Sequence, residues 1–130
     1  MLLDMNVLSK IYPNSAGIDI GSEKVYVSVE NQSVRNFRTF TSCYKELSAY
    51  LKECSITHVA MEATGVYWIT LYDVLEADGF EVRLVNPADS KNPPGRKTDV
   101  QDCQWIQQLF SYGLLRKSFV PEDIVRKLRV

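Results

Sequence analysis

From residue 24 to 30 the chain alternates cleanly. Val25, Val27 and Val29 fall on one side, Tyr26 and Ser28 on the other. A repeat of two predicts a half-buried strand. The apolar run Ala16–Ile20 predicts a short strand before it, with Gly21-Ser22-Glu23 turning the chain between them. Asn31-Gln32 predicts a hairpin, and Val34–Phe40 the returning strand. The repeat then becomes helical. Ser42 is a candidate N-cap, and Tyr44, Leu47, Leu51 and Cys54 form a stripe running to the helix end. Thr57–Met61 predicts a fourth strand. Val66–Asp78 predicts a second helix, with Ile69, Tyr72 and Leu75 on its apolar side and Gly79 as its stop. Glu81–Val85 predicts a fifth strand. Asn86–Lys97, with Pro87, Pro93, Pro94 and Gly95, predicts a loop. Thr98–Tyr112 predicts a third helix, closed by Gly113.

The order is β-β-β-α-β-α-β-α. Three leading strands with short connections form an antiparallel meander, and later strands that alternate with helices add in parallel. The expected fold class is α/β: a mixed five-stranded sheet with helices on both faces. Residues 1–15 read as a lead-in ending at Pro13-Asn14-Ser15, and residues 16–115 as the domain. Residues 116–130 read as the start of a connection to a C-terminal domain absent from this chain. Pro121 opens a helix there that still reads well at Arg129.

Composition narrows the function. The chain has 130 residues, 45% hydrophobic and 24% charged, which suits one globular domain. The formal net charge is −1, and a simple nucleic-acid clamp would be strongly basic. An enzyme acting on nucleic acid stays open, because an acidic metal cluster itself lowers the charge. Cys43, Cys54 and Cys103 form no Cys-x-x-Cys pair and read as free thiols in a reducing compartment. A single histidine, His58, puts a His-rich zinc site out of reach. No stretch approaches a membrane span of about 20 apolar residues. A cytoplasmic, DNA-associated protein with no membrane partner is the expectation.

Four acids carry the candidate chemistry. Asp19 sits in Gly17-Ile18-Asp19-Ile20-Gly21, opposite its two isoleucines and flanked on its own side by glycines. Missing side chains there make room for metal or substrate; a solvated Asp in a turn is the bland alternative. Glu62 ends a strand, where ligands of open α/β sheets gather, or else complements the dipole of the next helix. Asp99 and Asp102 share one face of the third helix. Thr98 and Gln101 form a capping box at its start, so both acids also have an ordinary role in a first turn. Taken together, the acids would meet at one end of the sheet. Hard oxygen ligands suit Mg²⁺ or Mn²⁺, and a pair of such ions serves phosphoryl transfer. Asp19 and Asp102 are expected to be the most central ligands.

These motifs carry a resemblance. With Glu62-Ala63-Thr64-Gly65-Val66-Tyr67, Val85-Asn86-Pro87 and Lys97-Thr98-Asp99-Val100-Gln101-Asp102, the chain resembles the N-terminal domain of insertion-sequence-110 type transposases, a group that includes Piv-type DNA invertases. Gly113-Leu114-Leu115 and Pro121 also fit, so the resemblance covers roughly residues 16 to 130. It implies a RuvC-like domain of the ribonuclease H-like fold with an Asp-Glu-Asp-Asp tetrad, here Asp19, Glu62, Asp99 and Asp102. It implies Mg²⁺-dependent DNA strand cleavage and transfer in transposition or site-specific recombination. It further implies a C-terminal domain with a catalytic serine, an element-encoded guide RNA, and a homo-oligomer at full length. A non-catalytic domain that binds nucleic acid or a protein partner is the rival reading. Actin-like sugar kinases share the Gly-x-Asp-x-Gly start but need a second phosphate loop and a longer chain.

Several cations and aromatics have two readings. Lys91, Arg96 and Lys97 precede Asp99, and Arg116 and Lys117 follow the third helix; these five are candidate nucleic-acid contacts or solvated charge. Arg126, Lys127 and Arg129 better complement a helix C-terminus. Tyr67 and Trp68 are candidates for base stacking, with core packing the stronger expectation. Trp105, Ile106, Leu109 and Phe110 read as core or as an interface to the further domain. His58 reads as structural, and Cys103 as a small buried residue.

Overall fold

The computed structural model describes residues 10–62, 67–85 and 98–115. Its elements are β1 (Ser15–Ile20), β2 (Lys24–Val29), β3 (Arg35–Arg38), α1 (Thr41–Glu53), β4 (His58–Glu62), α2 (Trp68–Ala77), β5 (Glu81–Val85) and α3 (Asp99–Ser111). The sheet order is β3-β2-β1-β4-β5, with β1 at the centre. β1, β2 and β3 pair antiparallel, and β4 and β5 add in parallel beside β1. This is the mixed five-stranded α/β sheet that the alternation implied, and it is consistent with the ribonuclease H-like fold that the resemblance implied.

Each strand's period of two divides the sheet into an α1/α2 face and an α3 face. Ala16, Ile18 and Ile20 share the first face with Val25, Val27 and Val29, which they oppose directly. Val59 and Met61 continue that layer, and Leu47, Leu51, Leu71 and Leu75 close it from α1 and α2. All four leucines are fully buried, and each such burial contributes about 1.5–3 kcal/mol. The second face is smaller. Ala60 and Val85 pack there against Ile106 and Phe110 of α3. Tyr12 stacks on Phe110 at 4.9 Å, and the Ile11 and Tyr12 amides both donate to the Ser111 carbonyl. That anchors the C-terminal end of α3 where β1 begins.

Local details differ from the sequence expectation. Helix α1 begins at Thr41, with Phe40 rather than Ser42 at the N-cap and no side-chain cap bond. Phe40 leaves β3 in extended conformation, and its carbonyl already accepts from the Tyr44 amide at 3.0 Å. Ser42 therefore falls inside the first turn. Strand β3 is shorter than Val34–Phe40 at both ends: the hairpin uses residues 30–34, with Asn31 at a φ of 66°, and after Arg38 the chain leads into α1. Helix α2 starts at Trp68; Val66 lies outside the described residues. The capping box holds in its main bond, the Gln101 amide donating to Thr98 Oγ1 at 3.1 Å.

Candidate active site

The parallel register of β1 and β4 runs from Ser15↔His58 to Ile18↔Met61. One step further sets Asp19 beside Glu62. Both stand at carboxyl ends of adjacent strands, both are half-buried, and both face α3. Adjacent strands lie about 4.8 Å apart. Two ionised carboxylates at about 5 Å repel by roughly 3 kcal/mol at an effective dielectric constant of 20. Such a placement asks for a cation or other polar partners.

Helix α3 brings the third acid. It crosses β1 at Gly17, where a Cβ would sit 2.4 Å from the Gln107 nitrogen and 2.5 Å from the Cys103 oxygen. The sequence reading assigned the space beside Asp19 at Gly17 to metal or substrate. The helix backbone fills it instead. Ser111 lies at the start of β1 and Cys103 nearer its middle, so α3 runs antiparallel to β1. Its first turn therefore lies toward the carboxyl ends of the strands. Asp102 is half-buried there, with its amide bonded to the Thr98 carbonyl at 2.8 Å. The Cys103 thiol, next in the chain to Asp102, also feels the charge of Asp19. Burial pushes the thiol up to about 12, and the negative charges of Asp19 and then Asp102 add to the effect. It donates to the Val100 carbonyl at 3.2 Å. A thiol so held is neither a nucleophile nor a soft metal ligand.

Asp19, Glu62 and Asp102 each already take part in polar or electrostatic interactions. Among the described residues, no group of three or more His, Cys, Asp or Glu side chains is set to hold a metal ion. The backbone of Asp99 opens α3, but its side chain lies outside the described residues. So do Lys91, Arg96, Lys97, Arg116 and Lys117. The donor set is carboxylate oxygen throughout, the chemistry that suits Mg²⁺ or Mn²⁺.

The other candidates resolve individually. Trp68 is buried and meets Tyr72 edge-on at 5.7 Å, whereas Tyr67 is exposed. Ile106, Leu109 and Phe110 are core. His58 is structural: its Nε2 pairs with Glu81 at 2.6 Å and its Nδ1 meets the Thr57 hydroxyl at 2.9 Å. The strand registers also reveal residues that sequence reasoning missed. Asn36 opposes Tyr26, and Tyr26 opposes Asp19. Asn36, Tyr26, Asp19 and Glu62 thus form one row across the α3 face. One step toward the carboxyl end of β1, Lys24 opposes Arg38. Alternation alone put Lys24 and Tyr26 on one face; only the register adds Asn36 and Arg38.

A family model for transposases, of the DEDD insertion-sequence-110 type, matches residues 16–130. A search of curated proteins gave no match. Among the described residues, no helix is long and apolar enough to cross a membrane.

Proposed function

The chain belongs to the DEDD transposase family of the insertion-sequence-110 type, and from that premise we propose that it carries the metal-binding acids of a DNA strand-cleavage and strand-transfer site. The RuvC-like form of the fold follows from the same membership. The observation that carries the proposal is the β1–β4 register, which sets Asp19 beside Glu62 on the face that α3 covers. In this reading Asp19, Glu62, Asp99 and Asp102 would hold two Mg²⁺ or Mn²⁺ ions. Held there, such ions would supply activation of a water or hydroxyl and stabilisation of the leaving oxygen.

The chain's own contribution is placement. Pairing of β1 with β4 sets two carboxylates on the central strand of the sheet and its neighbour. Gly17 lets α3 approach β1 closely enough to carry Asp102 over the same end. The Thr98 cap fixes where the helix starts, and with it the positions of Asp99 and Asp102. Cys103 stays a protonated thiol and leaves the oxygen donors unchallenged. DNA is the substrate in this reading. An element-encoded guide RNA and homo-oligomeric assembly at full length are the partners it carries with it.

Calorimetric titration of Mn²⁺ into the protein, with a short DNA duplex present, tests the site. Binding is expected for the wild type and expected to be lost in Asp19→Asn and in Asp102→Asn, with circular dichroism unchanged. Equal Mn²⁺ binding by wild type and Asp19→Asn, or none by either, overturns the proposal in favour of a non-catalytic binding domain. In the full-length protein, recombination retained by Asp19→Ala would sink the role given to that residue.

A further inference from the structure

Beside the acids the same face carries a second feature. Ser22, Glu23, Lys24, Arg38, Thr39 and Phe40 line an open pocket of about 520 Å³. It lies at the end of the sheet where β1 finishes and β3 delivers the chain to α1. Lys24 and Arg38 are directly opposed across the β2–β3 pair, on the face that carries Asp19. Like charges in that relation repel. Among the described residues neither is in an ion pair with an acid, and both are exposed. Glu23 is the pocket's single carboxylate, so the lining is net positive. Phe40 is 55% exposed, and the Arg38 guanidinium lies 5.1 Å over its ring. Protection of an edge strand by charge would account for Arg38 on β3, but not for Lys24 on the inner strand β2.

We propose that Lys24, Arg38 and Phe40 form a subsite for a single phosphodiester strand on its way to the acids. The two cations hold a phosphate, and Phe40, with Arg38 stacked on it, takes an unpaired base. From strand spacing and rise, the pocket lies roughly 12 Å from Asp19, a distance a short stretch of extended strand covers. Tyr26, which opposes Asp19 and lies two residues from Lys24 on the same face, stands between them. The whole chain, whose net charge is −1, need not be a basic nucleic-acid clamp: the positive field is local. The inference deepens the reading of the chain as a strand-transfer domain and rests on it for the direction of the strand.

Fluorescence anisotropy tests the subsite without metal. Labelled 12-nucleotide DNA and RNA strands of one sequence are titrated with the 130-residue protein in EDTA. Phe40→Ala is expected to weaken binding about tenfold, Phe40→Leu nearly as much, and Phe40→Trp little. Lys24→Gln with Arg38→Gln is expected to reduce the salt slope by roughly 1.4 on a single strand. Lys45→Gln, at an exposed position of α1, removes one charge elsewhere and is expected to change affinity less than twofold. The strand type with the larger loss identifies the ligand as DNA or RNA. Unchanged affinity for both strands in the Lys24/Arg38 and Phe40→Ala variants overturns the inference. So does an effect of Phe40→Ala that Phe40→Leu restores, or one that appears only as a change in oligomeric state by sedimentation, since those mark a protein partner. Because the assay excludes metal, the subsite and the metal site fail separately: Mn²⁺ binding can be lost while these strand effects persist, and the reverse.

Discussion

Gly17→Ala perturbs the contact on which the proposed site depends. The new Cβ would lie 2.4 Å from the Gln107 nitrogen, 2.5 Å from the Cys103 oxygen and 2.8 Å from the Gln107 Cα. All three are backbone atoms of α3, so no rotamer change relieves the clash. Ordinary contact begins at 3.4 Å, and the helix must withdraw by about 1 Å. Overpacking by one methyl costs about 1–3 kcal/mol, and a rigid neighbour puts this site at the upper end. Gly17 lies in a strand without a positive φ, so alanine recovers about 0.4–1 kcal/mol through the unfolded chain. The net loss is roughly 2 kcal/mol, which at about 4 °C per kcal/mol lowers Tm by about 8 °C. Thermal and urea unfolding measure it, and thiol labelling of Cys103, fully buried in the wild type, reports the helix moving off. Gly79→Ala is the contrast. Nothing lies within 4 Å of its Cβ, but its φ is +95°, so its cost is conformational, about 1 kcal/mol, and leaves Cys103 protected. A Tm for Gly17→Ala within 1 °C of wild type, with Cys103 still slow to label, would refute the close seating of α3 on β1.

Further outcomes follow from the same contacts. Thr98→Ala removes the acceptor for the Gln101 amide and is expected to cost about 1 kcal/mol in urea unfolding; Thr98→Ser restores it. Leu47→Ala or Leu51→Ala opens a cavity in the α1/α2 layer and is expected to cost about 2–5 kcal/mol, with circular dichroism of the native state retained. Glu81 is held below its ordinary value of 4.5, chiefly by its hydrogen bond from Arg83 and also by the Arg83 and His58 charges. A lowered carboxylate stabilises the fold above its unfolded value and loses that contribution as pH falls through the folded one. The stability gap between wild type and Glu81→Gln is therefore expected to be small at pH 7, as for exposed pairs. It is expected to close as pH drops below about 4. A gap that widens on acidification would contradict that pairing.

The sequence by itself determined the layers. Val25, Val27 and Val29 alternate, and Ala16, Ile18 and Ile20 do the same in the strand just before, so both strands had to bury one face. Tyr44, Leu47 and Leu51 recur at helical spacing, and α1 buries them. Thr98 announced the start of α3 through a bond that reaches only three residues. These are local effects: side-chain direction repeats with the backbone, and water sorts the residues. The order of motifs also carried the family, which the match over residues 16–130 shows. Tertiary structure decided what depends on neighbours far along the chain. Asp19 meets Glu62 only through the parallel register of β1 and β4. Gly17 looked like room for a ligand and is the seat of α3. Ser42 looked like a cap, but the helix start follows from where β3 ends at Arg38 and Phe40 turns the chain. Lys24 and Arg38 oppose each other because the hairpin takes up residues 30–34. A local pattern fixes which face a residue joins; which residues share a place on that face is set by pairing energies and close packing summed over the whole sheet.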